Sequence, residues 1–154
     1  FCNNPSAKVI ERMVPFNVPV HVFNKEQFKD EANFSELLGQ YKPDLIVLAG
    51  YLKMIPSELI QAFPKKIVNI HPSLLPKFGG KGMYGMNVHK AVIAAKEIIS
   101  GITIHLVDEI YDNGEILFQA SLPIQADWTA TTLQQEVLKL EHLYFAKVIE
   151  EKLL

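Results

Sequence analysis

The chain has 154 residues, 15 basic against 17 acidic, and a pI near 6.2, so it predicts one domain without the basic surplus that nucleic acid or an anionic membrane would require. Its one cysteine, Cys2, excludes an internal disulfide and fits a reducing compartment. No apolar run approaches the ~20 residues of a membrane span, so a cytoplasmic protein with no membrane or nucleic-acid partner is expected.

In chain order, Phe1–Pro5 reads as a strand end running into a turn. Ser6 can cap a short helix whose Val9, Ile10 and Met13 share one face. Val18–Phe23 alternates around Val20 and Val22 and predicts a strand with His21 on its solvent side. Asn24 then caps a helix over 25–41, with Phe28, Phe34, Leu37 and Leu38 as its apolar stripe and Pro43 as its stop. Asp44–Gly50 is apolar on both faces, as a central parallel strand should be, and ends on a glycine where backbone can approach a ligand closely. Leu52–Ile55 reads either as ordinary core or as an apolar slot with free backbone groups, and Pro56-Ser57-Glu58 opens a helix.

Lys66–Ile70 reads as a buried strand that ends at the His71-Pro72 bond, where a regular ladder cannot continue. Side chains two apart on a strand share a face, so Asn69 and His71 project together: a turn cap with a surface histidine, or an amide donor beside an imidazole that can move a proton near neutral pH. Residues 77–86 carry four glycines and predict a mobile surface loop; without a preceding strand or a Gly-Lys-Ser/Thr ending they do not make a nucleotide cradle. A helix over 87–96 follows, with His89 near its start in a structural role. Residues 101–107 and 116–120 predict an antiparallel hairpin, with His105 pointing into the cleft and an acidic tip closed by Asp112-Asn113-Gly114. Thr129 or Thr131 caps a final helix to about Lys152, with Leu133, Val137, Leu140, Tyr144 and Val148 inward. The pattern predicts an α/β fold: a Rossmann-like, mostly parallel sheet with helices on both faces, closed by an antiparallel hairpin and a long helix.

The string His71-Pro72-Ser73-Leu74-Leu75-Pro76, preceded by Asn69, resembles the signature of the folate-dependent formyltransferases, and the likeness extends over about residues 1–154. Within that family the branch acting on glycinamide ribonucleotide is the most similar. The resemblance implies transfer of a formyl group from 10-formyltetrahydrofolate to the amine of glycinamide ribonucleotide in purine biosynthesis, with small-molecule substrates and no metal. It implies that Asn69 and His71 form the catalytic pair and that Asp112 faces His71 and raises its pKa. It implies a pterin pocket at Leu52, Lys53, Met54 and Ile55. Folate contacts would come also from Asn69, from the hairpin tip (Asp108, Glu109, Ile110, Tyr111, Asp112) and from Lys25 at the glutamate tail. Gly50, Pro72, Leu138 and Glu141 fall where the family holds the amine substrate, Glu141 at its ribose. Lys53 stands for a usual arginine, Asn113 for a common glycine and Leu138 for a frequent polar residue. The five histidines show no metal-ligand spacing such as His-Glu-x-x-His.

The family opens with a strand, a Gly-Ser-Gly-type turn that holds phosphate, and a helix, and no segment of residues 1–154 matches them. About 30 further residues before Phe1 are therefore expected, one more strand-helix unit, with a gap or open edge beside Val68–Ile70. The alternative activities are the catalytic domain that formylates methionyl-tRNA, or a non-catalytic folate-binding module.

Overall fold

The computed structural model describes residues 1–23 and 31–153, and of residues 31–35 the backbone alone. The chain divides into two compact units, Phe1–Pro43 and Asp44–Leu154.

In the first unit, helix α1 (Lys8–Met13) is followed by a 3-10 turn (Val14–Phe16) that ends on Asn17 in the left-handed conformation. Ser6 does not cap α1. Ala7 precedes the helix without a side-chain bond, and the Ser6 amide instead donates to Asn4 Oδ1 at 2.9 Å, an Asx turn. No side chain of this six-residue helix is fully buried: of the expected stripe, Ile10 and Met13 are half-buried and Val9 is exposed. The strand expected over Val18–Phe23 reduces to one parallel bridge between Cys2 and Val22. His21 is half-buried rather than solvent-facing: its ring stacks on Phe1, centroids 5.1 Å apart, and hydrogen-bonds the Tyr41 hydroxyl. Helix α2 (Glu31–Tyr41) is the described part of the predicted 25–41 helix; Asn24, Lys25 and Phe28 lie outside the described residues.

The second unit is built on a four-stranded sheet in the order β1-β2-β3-β4. The strands are β1 (Ile46–Leu48), β2 (Ile67–His71), β3 (Ile99–Leu106) and β4 (Ile116–Pro123). Between β1 and β2 lies helix α3 (Ser57–Ala62), the crossover that a parallel pair requires; β2/β3 and β3/β4 are antiparallel. The α/β fold is as expected, but this sheet is mixed rather than mostly parallel: the short tip after β3 makes a hairpin of β3 and β4, and β3 also runs antiparallel to β2, which leaves β1/β2 as the parallel pair among the described strands. Two further expectations are corrected. β1 is three residues long and forms the edge of the described sheet, with Val47 43% exposed, so it is not a central strand covered on both faces. Nor is there an open edge beside Val68–Ile70, since β2 is paired on both sides.

Alternation along β2 and β3 sends Val68 and Ile70, with Ile102 and Ile104, to one face. There they pack against α4 (Met86–Ala94) through Val88 and Val92, and against α5 (Ala130–Leu153) through Leu133, Val137, Tyr144 and Val148. Ile102, Ile104, Val88, Leu133 and Val137 are each 0% exposed, and burial of each such side chain stabilises by roughly 1.5–3 kcal/mol. The opposite face carries Asn69, His71, Thr103 and His105, brought together by the register Asn69–His105 and His71–Thr103.

Candidate active site

The chain beyond β2 is tied down by the polar side chains of that second face. Thr103 Oγ1 donates to the Ser73 carbonyl at 2.7 Å and accepts from the Leu75 amide at 3.0 Å. Gln119 Nε2 donates to the Leu75 carbonyl at 3.0 Å and to Thr103 Oγ1 at 2.8 Å, and the Ser73 hydroxyl donates to the Lys77 carbonyl at 2.7 Å. The segment after His71 is therefore a fixed turn, with Ser73 and Leu75 buried, and it returns the chain so that residue 78 meets the ring of His71.

His71 Nε2 donates to the Phe78 carbonyl at 2.8 Å, which leaves Nδ1 facing Asp112 Oδ2 at 3.5 Å. The distance is longer than a charge-assisted hydrogen bond, and the contact becomes an ion pair when the ring takes a second proton. His105 Nδ1 donates to the Leu106 carbonyl at 2.8 Å, so its Nε2 lone pair accepts from Asn69 Nδ2 at 3.2 Å. That contact fixes the orientation of the Asn69 amide and leaves its second N–H for a ligand. Asp112 also accepts from the Gly80 amide at 2.9 Å, and its other oxygen lies 3.7 Å from His105 Nε2. Burial pulls the His71 pKa below the usual imidazole value; Asp112 and the Phe78 carbonyl push it up, and His105 pushes it down. The expected upward effect of Asp112 is present, but burial outweighs it.

Asn69, His71, His105 and Asp112 open on a cavity of about 530 Å³, within the usual range for small-molecule sites. Gly50, Leu52, Lys53, Met54, Ile55, Pro72, Asp108, Ile110, Tyr111, Leu138 and Glu141 line it as well. Gly50 has φ 69, with open space where a Cβ would stand, as a close backbone approach requires. Leu52 and Met54 are half exposed, while Ile55 is 6% exposed and anchors the segment. Glu141 has its pKa raised by burial, with His142 opposing. Two expected residues are not brought in: Glu109 is exposed and accepts from Gln61 Nε2 at 3.3 Å outside the lining, and Lys25 lies outside the described residues.

The glycine-rich segment is not a detached surface loop. Residues 80–85 form one wall of the cavity, and Gly79 packs so tightly that a Cβ there would meet Leu75 Cδ2 at 2.5 Å and Asp112 Cβ at 3.2 Å. The left-handed residue of the hairpin tip is Asp112, φ 54, not Asn113. His89, Gln134, Tyr51 and Val107 are further lining residues that sequence reasoning did not assign; His89 is 2% exposed and its Nδ1 has no hydrogen-bond partner. Glycines directly after the His-Pro turn were the one available signal for the wall. Among the described residues no group of three or more His, Cys, Asp or Glu side chains is placed to hold a metal, and no helix is long and apolar enough to cross a membrane.

A mixed α/β sheet with an amide and an imidazole at the end of β2, faced by a carboxylate from the tip between β3 and β4, defines a candidate acyl- or formyl-transfer centre. Residues 1–149 match the family model described as formyl transferase, and the chain belongs to that family. It is similar to a phosphoribosylglycinamide formyltransferase of Bacillus subtilis, 40% identical over 99% of this chain and 77% of the relative. A chloroplastic phosphoribosylglycinamide formyltransferase of Vigna unguiculata is 51% identical over 86% of this chain. The chain matches 44% and 47% of the length of that protein and of its Arabidopsis thaliana counterpart, so it spans about half of the plant relatives. Among solved structures, glycinamide ribonucleotide transformylase 1 from Geobacillus kaustophilus superposes with a TM-score of 0.86 at 38% identity, covering 99% of this chain and 80% of that one.

Proposed function

We propose that this chain carries the catalytic centre of a phosphoribosylglycinamide formyltransferase, moving a formyl group from 10-formyltetrahydrofolate to the primary amine of glycinamide ribonucleotide. The observation that carries this reading is the convergence of Asn69, His71 and Asp112 on one cavity, with His71 Nδ1 3.5 Å from Asp112 Oδ2. Attack of the amine on the formyl carbon places negative charge on the formyl oxygen. The free N–H of Asn69 would donate to that oxyanion, with the charge that His71 gains on protonation standing beside it, and removing one such donor typically costs about 10²–10³ in rate. Asp112 stabilises the charged imidazole and can pass the amine's proton, through water, toward the leaving nitrogen. The apolar slot of Leu52, Met54 and Ile55 suits a flat heterocycle bound through backbone groups, with Lys53, Asp108, Ile110 and Tyr111 beside it. Gly50, Pro72, Leu138 and Glu141 would take the amine substrate. The one thiol fits a reducing, cytoplasmic compartment.

The test is deformylation of 10-formyltetrahydrofolate by the purified full chain, with and without glycinamide ribonucleotide. Turnover that requires the amine is expected, and methionyl-tRNA should not replace it. Folate binding without amine-dependent turnover would reject the reading in favour of a binding module.

A further inference from the structure

His89 is a third imidazole at the cavity, and formyl transfer as read above leaves it unused. Its helix neighbours Val88 and Val92 share a core with Leu133 and Val137 of α5, so His89 lies toward the α5 wall, where Leu138 and Glu141 also line the cavity. The ring is 2% exposed, and its Nδ1 is sealed from solvent without a hydrogen-bond partner. A stranded buried N–H is rarer than a stranded acceptor, which assigns the ring proton to Nε2. Because Nδ1 is enclosed, Nε2 is the nitrogen able to meet a ligand. Burial and the neighbouring His71 both lower the pKa of His89, so at neutral pH the ring is an uncharged donor. An apolar side chain would fill the same place without the desolvation cost of an unpaired ring nitrogen.

We propose that His89 is a substrate-binding residue that donates a hydrogen bond from Nε2 to an oxygen of the amine substrate held along the α5 wall. This rests on the formyl-transfer reading. The contact is tested with His89→Leu, which removes the donor, and His89→Gln, which returns an amide donor near the place of Nε2. His89→Leu should raise KM for glycinamide ribonucleotide about 3- to 10-fold, the loss of one neutral hydrogen bond, with a smaller change in kcat and in KM for the folate. Its melting temperature should not fall, and His89→Gln should recover most of the KM. An unchanged KM for the amine substrate, a loss confined to the folate, or equal losses in both variants with lowered melting temperatures would overturn the contact. Calorimetric titration of glycinamide ribonucleotide separates the two possible failures. No binding to the wild-type chain overturns the formyl-transfer reading and this contact with it, whereas wild-type binding that His89→Leu leaves unchanged overturns this contact alone.

Discussion

Asp112 holds a left-handed backbone, φ 54, that costs most residues about a kilocalorie per mole and that aspartate tolerates better than most. Its carboxylate accepts from the Gly80 amide at 2.9 Å and stands 3.5 Å from His71 Nδ1, so strain and charge are concentrated where the proposed chemistry needs them. Asp112→Asn keeps the tolerance for that backbone and an oxygen for Gly80, and removes the charge alone. Without the carboxylate, the influence that raises the His71 pKa is lost while burial still lowers it, so the pKa falls further. The variant should therefore lose kcat, and the basic limb of its kcat/KM profile should move to lower pH. A pH–rate profile that superposes on wild type would show that Asp112 does not act through His71. For His71→Ala, kcat should fall about 10²–10³-fold with little change in folate affinity, measured by titration.

At the scale of elements, the wall of residues 79–85 and helix α5 give contrasting expectations. A methyl at Gly79 would collide with buried Leu75 and press on Asp112, so Gly79→Ala should reduce kcat and melting temperature together. Thr129 caps α5 through Oγ1, which accepts from the Thr132 amide at 3.1 Å, and is not among the residues lining the cavity. Thr129→Ala should cost about 1 kcal/mol of stability in denaturant unfolding and leave kcat intact. The cap, the inward face of α5 and the strands around Asn69 and His71 were legible in the sequence because each is written in local signals: a hydroxyl before a helical period, a two-residue alternation, a proline that ends a ladder. The wall was not legible. Its glycines read as a solvent loop, and what folds it inward is the bond from Gly80 to a carboxylate 32 positions away. The edge position and three-residue length of β1 were hidden for a related reason, since an apolar run does not say which strands pair with it.

For the whole molecule, the cavity imposes a pH dependence on folding, because four of its titratable groups, Tyr51, His71, His89 and Glu141, are shifted by burial first, the last three in the acid-to-neutral range. His71 and His89 have lowered pKa values, so relative to the unfolded chain the folded state favours their neutral forms. The stability they support is fully present above the unfolded imidazole pKa of about 6.5 and is lost as pH falls through the lower folded values. Glu141 has a raised pKa, so its contribution has the opposite sign: present below the unfolded carboxyl pKa of about 4.3 and lost as pH rises through the folded value. Denaturant midpoints taken from pH 8 to pH 5 should therefore fall, and His89→Gln should flatten that fall. Glu141→Gln should raise the midpoint at pH 7.5, where the wild-type carboxylate is charged and partly desolvated, and the gain should vanish near pH 4. If Glu141 also holds the amine substrate, the stabilised variant should show a higher KM for glycinamide ribonucleotide, a trade of function against stability expected of a charge kept in a cavity wall. A Glu141→Gln midpoint that equals wild type at pH 7.5 would mean that water screens this carboxylate fully and that burial does not govern its ionisation.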